Sequence, residues 1–85
     1  MTRTEEIRLR LEQAFAPREL EVVDDSEKHR GHAGYQEGGE SHFSVRVRAE
    51  GFDGMSRIAR HRAVHEALGA TLVSQIHALS LDLNS

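Results

Sequence analysis

The chain has 85 residues, six of them histidine and none cysteine, and its formal net charge is −3 with the histidines neutral. This length predicts a single domain over residues 1–85. The lack of cysteine excludes disulfides and any zinc or iron–sulfur site built from the chain's own thiolates. No apolar run approaches the roughly 20 residues of a membrane-spanning helix, and the charged first dozen residues do not resemble a secretory signal. We therefore expect a soluble, cytoplasmic protein without a membrane partner.

The first half of the chain predicts a helix and two strands. Apolar residues recur every fourth position over residues 3–15, which is typical of one face of a helix. Residues 20–23 form a short β-branched run, and residues 42–48 alternate between apolar and polar side chains. The first run predicts a strand, and the second predicts a strand with one buried face. The predicted buried positions of the helix are Ile7, Leu11 and Phe15.

A glycine-rich connection of about 17 residues, 24–40, separates the two strands and carries His29 and His32. Loops of this length are uncommon in compact domains and are often functional. Histidines three apart in such a loop could form a weak metal site, although they are more often simply solvated. From the residues alone, both interpretations stay open.

The second half predicts a helix over residues 57–68, with Ser56 as its N-cap and Gly69 at its end. Residues 75–83 then alternate as a closing strand, with His77 half-buried at its opening end. At about 100° per residue, one sector of the helix collects the apolar residues and two histidines. The predicted sector contains Ile58, His61, Val64, His65, Leu68 and Leu72.

The predicted order is therefore α-β-β-α-β, an α+β fold. A strand, a helix and a further strand in one sheet are expected to connect in parallel with right-handed topology. We expect a three-stranded mixed sheet with both helices packed on one face.

His61 and His65 lie at i and i+4 of the predicted helix, which is suitable geometry for a zinc pair. A metalloprotease would need His-Glu-x-x-His, but Arg62 follows His61. The favoured interpretation is that both histidines pack against the sheet. His42, which opens the second strand, is expected to be structural as well.

Arg57, Arg60 and Arg62 form a small basic group on the same helix. They could contact phosphates or pair with acidic residues, and surface pairing is the commoner and weaker arrangement. The preceding Gly51-Phe52-Asp53-Gly54 formally fits a nucleic-acid clamp of KH domains, but Asp53 would repel phosphate and Phe52 is bulky. We interpret Phe52 as core and the glycines as turn residues.

Four blocks of the sequence, in order, resemble the BolA-like family, and together they cover nearly the whole chain. The most specific is Phe52-x-Gly54-x-Ser56-x3-Arg60-His61-Arg62-x-Val64. The others are Leu20-Glu21-Val22-Val23-Asp24-Asp25-Ser26, Glu40-Ser41-His42-Phe43 and Ile76-His77-Ala78-Leu79-Ser80. The resemblance implies an α-β-β-α-β core related to the type II KH fold, in agreement with the pattern above.

The resemblance implies a first function in iron–sulfur handling or iron sensing. Members of this family pair with a monothiol glutaredoxin around a shared [2Fe-2S] cluster, for which the glutaredoxin and glutathione supply thiolates. In that family the BolA-like protein supplies a histidine ligand from the start of its last strand, and this position matches His77. It supplies a second ligand from the loop between its first two strands, which matches His29 or His32, depending on which flanking block sets the alignment. Gly31 and Gly34 slightly favour His32, because glycine lets the backbone approach a partner closely.

The resemblance also implies an alternative function as a DNA-binding transcriptional regulator of stress response and cell morphology. The helix that recognises DNA would be residues 56–68, with Arg57, Arg60 and Arg62 contacting the DNA. At a net charge of −3, such binding should be modest and strongly salt-dependent.

No nucleophile–base pair, paired catalytic carboxylates or P-loop is visible, so we predict no catalytic residues and no enzymatic activity. The leading hypothesis is an adaptor that holds a cluster only in complex with its glutaredoxin. Alone, the chain is expected to be a monomer or weak homodimer without a cofactor.

Overall fold

The structure, a computed structural model, describes residues 2–25 and 42–85. His29 and His32 lie outside the described residues. Within them, no helix is long and apolar enough to span a membrane. The helices are α1 (Arg3–Phe15), α2 (Arg57–Leu68) and α3 (Ala70–Ser74), with a 3-10 turn at Glu50–Phe52, and the strands are β1 (Glu19–Asp24), β2 (His42–Arg48) and β3 (Ala78–Asn84).

The three strands form one mixed sheet in the order β1-β2-β3. β1 is antiparallel to β2, and β2 is parallel to β3. The central strand supplies the best-buried sheet residues, Phe43, Val45 and Val47, as its alternation predicted. The predicted mixed topology is therefore confirmed.

Both long helices contribute to one hydrophobic core with this face of β2. Helix α1 is capped by Thr2, whose hydroxyl accepts a hydrogen bond from the Glu5 amide, and it buries Ile7 and Leu11. Helix α2 is capped in the same way by Ser56 and buries Val64 and Leu68. The described chain thus has helices on one face of a three-stranded sheet, the predicted α+β arrangement.

The buried face of α2 differs from the predicted sector. Val64 and Leu68 are fully buried, but Ile58 is 65% exposed and His65 is also exposed. The helix is rotated so that Arg60 lies along the sheet side and is partly buried. The aliphatic part of an arginine side chain can cover apolar surface while its guanidinium forms hydrogen bonds. The predicted sector left Arg60 out, so it misassigned the side of α2 that contacts the sheet.

The end of the chain also differs from its prediction. Gly69 ends α2 with a φ of 86°, as expected, but the additional helix α3 follows and buries Leu72. β3 begins only at Ala78. His77 therefore precedes the strand and is exposed, instead of half-buried within it.

We expect Leu68→Ala to lower the free energy of unfolding by about 2–5 kcal/mol, because it leaves a cavity beneath α2. Ile58→Ala, on the same helix, is the matched control and should change it by less than about 0.5 kcal/mol. Urea denaturation measures both values. Equal losses in the two variants would contradict the observed rotation of α2.

Candidate functional site

The parallel pairing of β2 and β3 places the beginnings of both strands at the same end of the sheet. His42 pairs with Ala78, the first residue of β3. His77 is the residue before it, and its ring lies against that of His42, with 5.0 Å between centroids and 40° between planes. We call this pair the histidine corner (His42 and His77).

The long connection leaves and returns at the same corner. β1 ends at Asp24, which pairs with Phe43, and the Asp25 amide donates a hydrogen bond of 2.7 Å to the His42 carbonyl. The Ser44 hydroxyl donates to the Asp25 carboxylate. These contacts place Asp25 and His42, the residues that flank the connection, at the histidine corner; residues 26–41 lie outside the described residues.

The two rings of the corner differ in exposure. His42 is 9% exposed, whereas His77 is an exposed residue. An exposed imidazole can reach a metal or a partner, and a buried neighbour limits the positions that its ring can occupy. His77 is therefore the histidine of this corner that could act as a ligand, and its ring is supported by that of His42.

The donors of this corner fit a shared metal site, not a self-contained one. Within residues 2–25 and 42–85, no three histidine or acidic side chains are grouped so that they could hold a metal ion. The chain also has no cysteine. Because iron–sulfur clusters are held largely by thiolates, a [2Fe-2S] cluster at His77 would need further ligands from a partner.

The structure separates the four histidines that it describes into two groups. His77 meets His42, a residue whose role the sequence suggested was only structural. His61 and His65 instead line a concavity along α2. The contact between His42 and His77 follows from strand register, which the local sequence pattern of either residue does not specify.

The three arginines of α2 have different environments. The Arg60 guanidinium donates to the carbonyls of Phe52 and Leu83, both at 3.2 Å, and to the Asn84 side chain at 3.4 Å. Arg57 and Arg62 are exposed. Arg60 thus ties α2 to the end of β3, while the other two arginines face solvent.

The turn before α2 behaves as the sequence predicted. Phe52 is fully buried, and its ring packs on Phe15 with 4.9 Å between centroids. Gly54 has a φ of 77°, a conformation that favours glycine. The segment is therefore part of the core and its turn.

The fold and the arrangement of motifs agree with one family of proteins. A family model described as BolA-like protein matches residues 11–85. The chain belongs to the BolA-like family. The resemblance drawn from the four sequence blocks is thereby confirmed, and the BolA-like assignment covers both strands of the histidine corner and all of α2.

Comparisons with individual BolA-like proteins support the same assignment. BolA-like protein 1 of Mus musculus is 47% identical over 75 residues, which cover 88% of this chain and 52% of that protein. The DNA-binding transcriptional regulator BolA of Vibrio cholerae is 39% identical over 75 residues, covering 88% and 67%. The chain spans about half the length of the mouse relative.

The fold also matches solved BolA structures. The BolA domain of SufE1 from Arabidopsis thaliana superposes with a TM-score of 0.82 at 39% identity, covering 99% of this chain and 92% of that one. The α+β architecture is thus that of a BolA domain.

Arg60→Gln is expected to lower the free energy of unfolding by about 1–3 kcal/mol, because the carbonyls of Phe52 and Leu83 lose their donor. Arg62→Gln is the control on the same helix and should stay within about 0.5 kcal/mol of the parent. Thermal and urea denaturation provide the comparison. If Arg60→Gln is as stable as Arg62→Gln, the Arg60 contacts do not hold α2 to β3.

Proposed function

We propose that this BolA-like protein is a non-enzymatic adaptor that pairs with a monothiol glutaredoxin and shares a [2Fe-2S] cluster with it. The process would be iron–sulfur handling or iron sensing. The observation that supports this proposal most is the exposed His77 ring, which rests on the buried His42 ring at the base of the connection. Family membership supports the broader assignment, and the partner and the cluster are the proposed part.

The chain's own contribution would be two imidazole ligands. His77 is one, and the second is His32 or His29 from the connection that is anchored beside it. Imidazole nitrogen is a suitable ligand for iron. When bound, the cluster would supply iron–sulfide for transfer or a redox signal, and replacing thiolates by histidines raises the reduction potential of such a cluster.

His42 would act on His77 and would not itself be a ligand. Its ring is 9% exposed and is part of β2, the most buried strand. Groups that support a ligating histidine fix its orientation. In this proposal, His42 limits the movement of the His77 ring so that it points to the partner's side of the corner.

The glutaredoxin complex tests the ligand assignment. The protein, a monothiol glutaredoxin, glutathione, iron and sulfide are mixed under anaerobic conditions, and visible absorption and circular dichroism are recorded. We expect His77→Ala to abolish or shift the bands of the mixed complex, because the cluster loses an imidazole ligand. His32→Ala and His29→Ala, measured alongside, identify the loop ligand as the variant that changes the bands.

His65→Ala is the matched control, since it removes an exposed histidine from a different part of the surface. It should give the parental spectrum. A parental spectrum from His77→Ala as well would contradict the role of His77, and absence of a mixed complex with the parent chain would contradict the proposed function.

A second candidate function is DNA binding, and two observations favour it. A relative from Vibrio cholerae is named a DNA-binding transcriptional regulator. Arg57 and Arg62 are both exposed on α2, where they could contact phosphates. Arg60 would contribute through the position of the helix, because its guanidinium is engaged with Phe52 and β3.

Titration of a labelled DNA duplex by fluorescence anisotropy tests this candidate. Two phosphate contacts predict an affinity loss of about tenfold between 50 and 200 mM salt. The double substitution Arg57→Gln and Arg62→Gln should weaken binding at low salt and reduce the salt dependence. Arg8→Gln, at an exposed position of α1, is the control. No binding at low salt, or equal binding by the double variant, would contradict this function.

A further inference from the structure

Helix α2 carries a shallow concavity of about 630 Å³. The glutaredoxin proposal does not use it, and the DNA-binding candidate uses only Arg57 and Arg62 among its lining residues. It adjoins the side of the helix that buries Val64 and Leu68. Two histidines line it, His61 and His65. The prediction that both pack against the sheet is wrong for the exposed His65, whereas the half-buried His61 lies near β3. The lining residues are Arg57, Ile58, His61, Arg62, His65 and Glu66.

His61 and His65 are neighbours on this surface. They are four residues apart in a continuous helix, a spacing that brings the Cβ atoms to about 5–6 Å. His65 is exposed and His61 is half-buried. Neither ring forms a hydrogen bond or ion pair with any residue that the structure describes. Their ring nitrogens are therefore accessible to a ligand that approaches from solvent.

We propose that His61 and His65 chelate a divalent transition-metal ion, with Cu(II) preferred over Ni(II) and Zn(II). Neutral imidazole is a good ligand for all three ions, and the order of preference follows the general stability series for divalent metals. The two histidines occupy two coordination positions of the ion, and water occupies the others. The site requires no ligand from outside α2.

The neighbouring charges limit the strength of this site. Arg57 and Arg62 flank the pair and oppose a cation, whereas Glu66 favours one. Among the residues that the structure describes, no third histidine or acidic side chain is grouped with the two imidazoles, so the affinity is below that of a closed three- or four-ligand site. The open coordination positions face solvent and are accessible to another ligand.

The pair is separate from the histidine corner. His61 lies beside Leu81 and Leu83, in the later half of β3. His77 precedes the first residue of that strand. Binding of a metal at α2 can therefore be distinguished from binding at His77, and the inference does not depend on the glutaredoxin proposal.

Titration of the full chain with Cu(II) tests the inference. Substoichiometric Cu(II) should broaden the ¹H–¹⁵N signals of residues 58–66 and the ring signals of His61 and His65 before other signals. We expect His65→Ala to weaken Cu(II) binding by about tenfold or more, because the remaining imidazole loses the chelate advantage. His65 is exposed, so the far-ultraviolet circular dichroism spectrum should not change.

His77→Ala is the matched control, because it removes one histidine from the other group. It should leave the affinity at α2 and the pattern of broadening there unchanged. The proposal is overturned if broadening is centred on His42 and His77 or is equal for all histidines. It is also overturned if His65→Ala binds Cu(II) as tightly as the parent chain.

Discussion

The parallel pairing of β2 with β3 is the constraint on which the rest of the structure depends. Two parallel neighbours cannot be joined by a tight turn, so the chain must cross the sheet through α2 and α3 before β3 begins. The crossing places Val64 and Leu68 on the sheet and completes the core. The same pairing aligns the starts of both strands and brings His77 against His42.

This arrangement combines a fixed support with an accessible ligand. β2 is buried and central, so His42 occupies a position that the core determines, while the exposed His77 immediately precedes β3. The backbone contact between Asp25 and His42 anchors the long connection at the same place. A chain without cysteine thereby gathers imidazoles at one corner of its sheet, which suits a site completed by a partner's thiolates.

Local periodicity was sufficient to predict α1, β2 and α2 with their observed bounds, because each element buries one regular face. The rotation of α2 about its axis could not be predicted in the same way, because the partly buried side of that helix includes Arg60, and an apolar pattern excludes arginine. The sequence pattern did not predict the short helix α3, which lies directly before the residues assigned to the last strand. The meeting of His42 and His77 depends on a register between residues distant in sequence, so it could be found only after the parallel pairing was known.

The most direct test of the central claim is pulsed electron paramagnetic resonance on the reduced glutaredoxin complex, with only this chain labelled with ¹⁵N-histidine. Assignment of His77 as a cluster ligand predicts a strong ¹⁵N hyperfine coupling from a directly bound imidazole, which is lost or reduced in His77→Ala. Absence of such a coupling in the parent complex, or an unchanged coupling in His77→Ala, would contradict the account of the histidine corner.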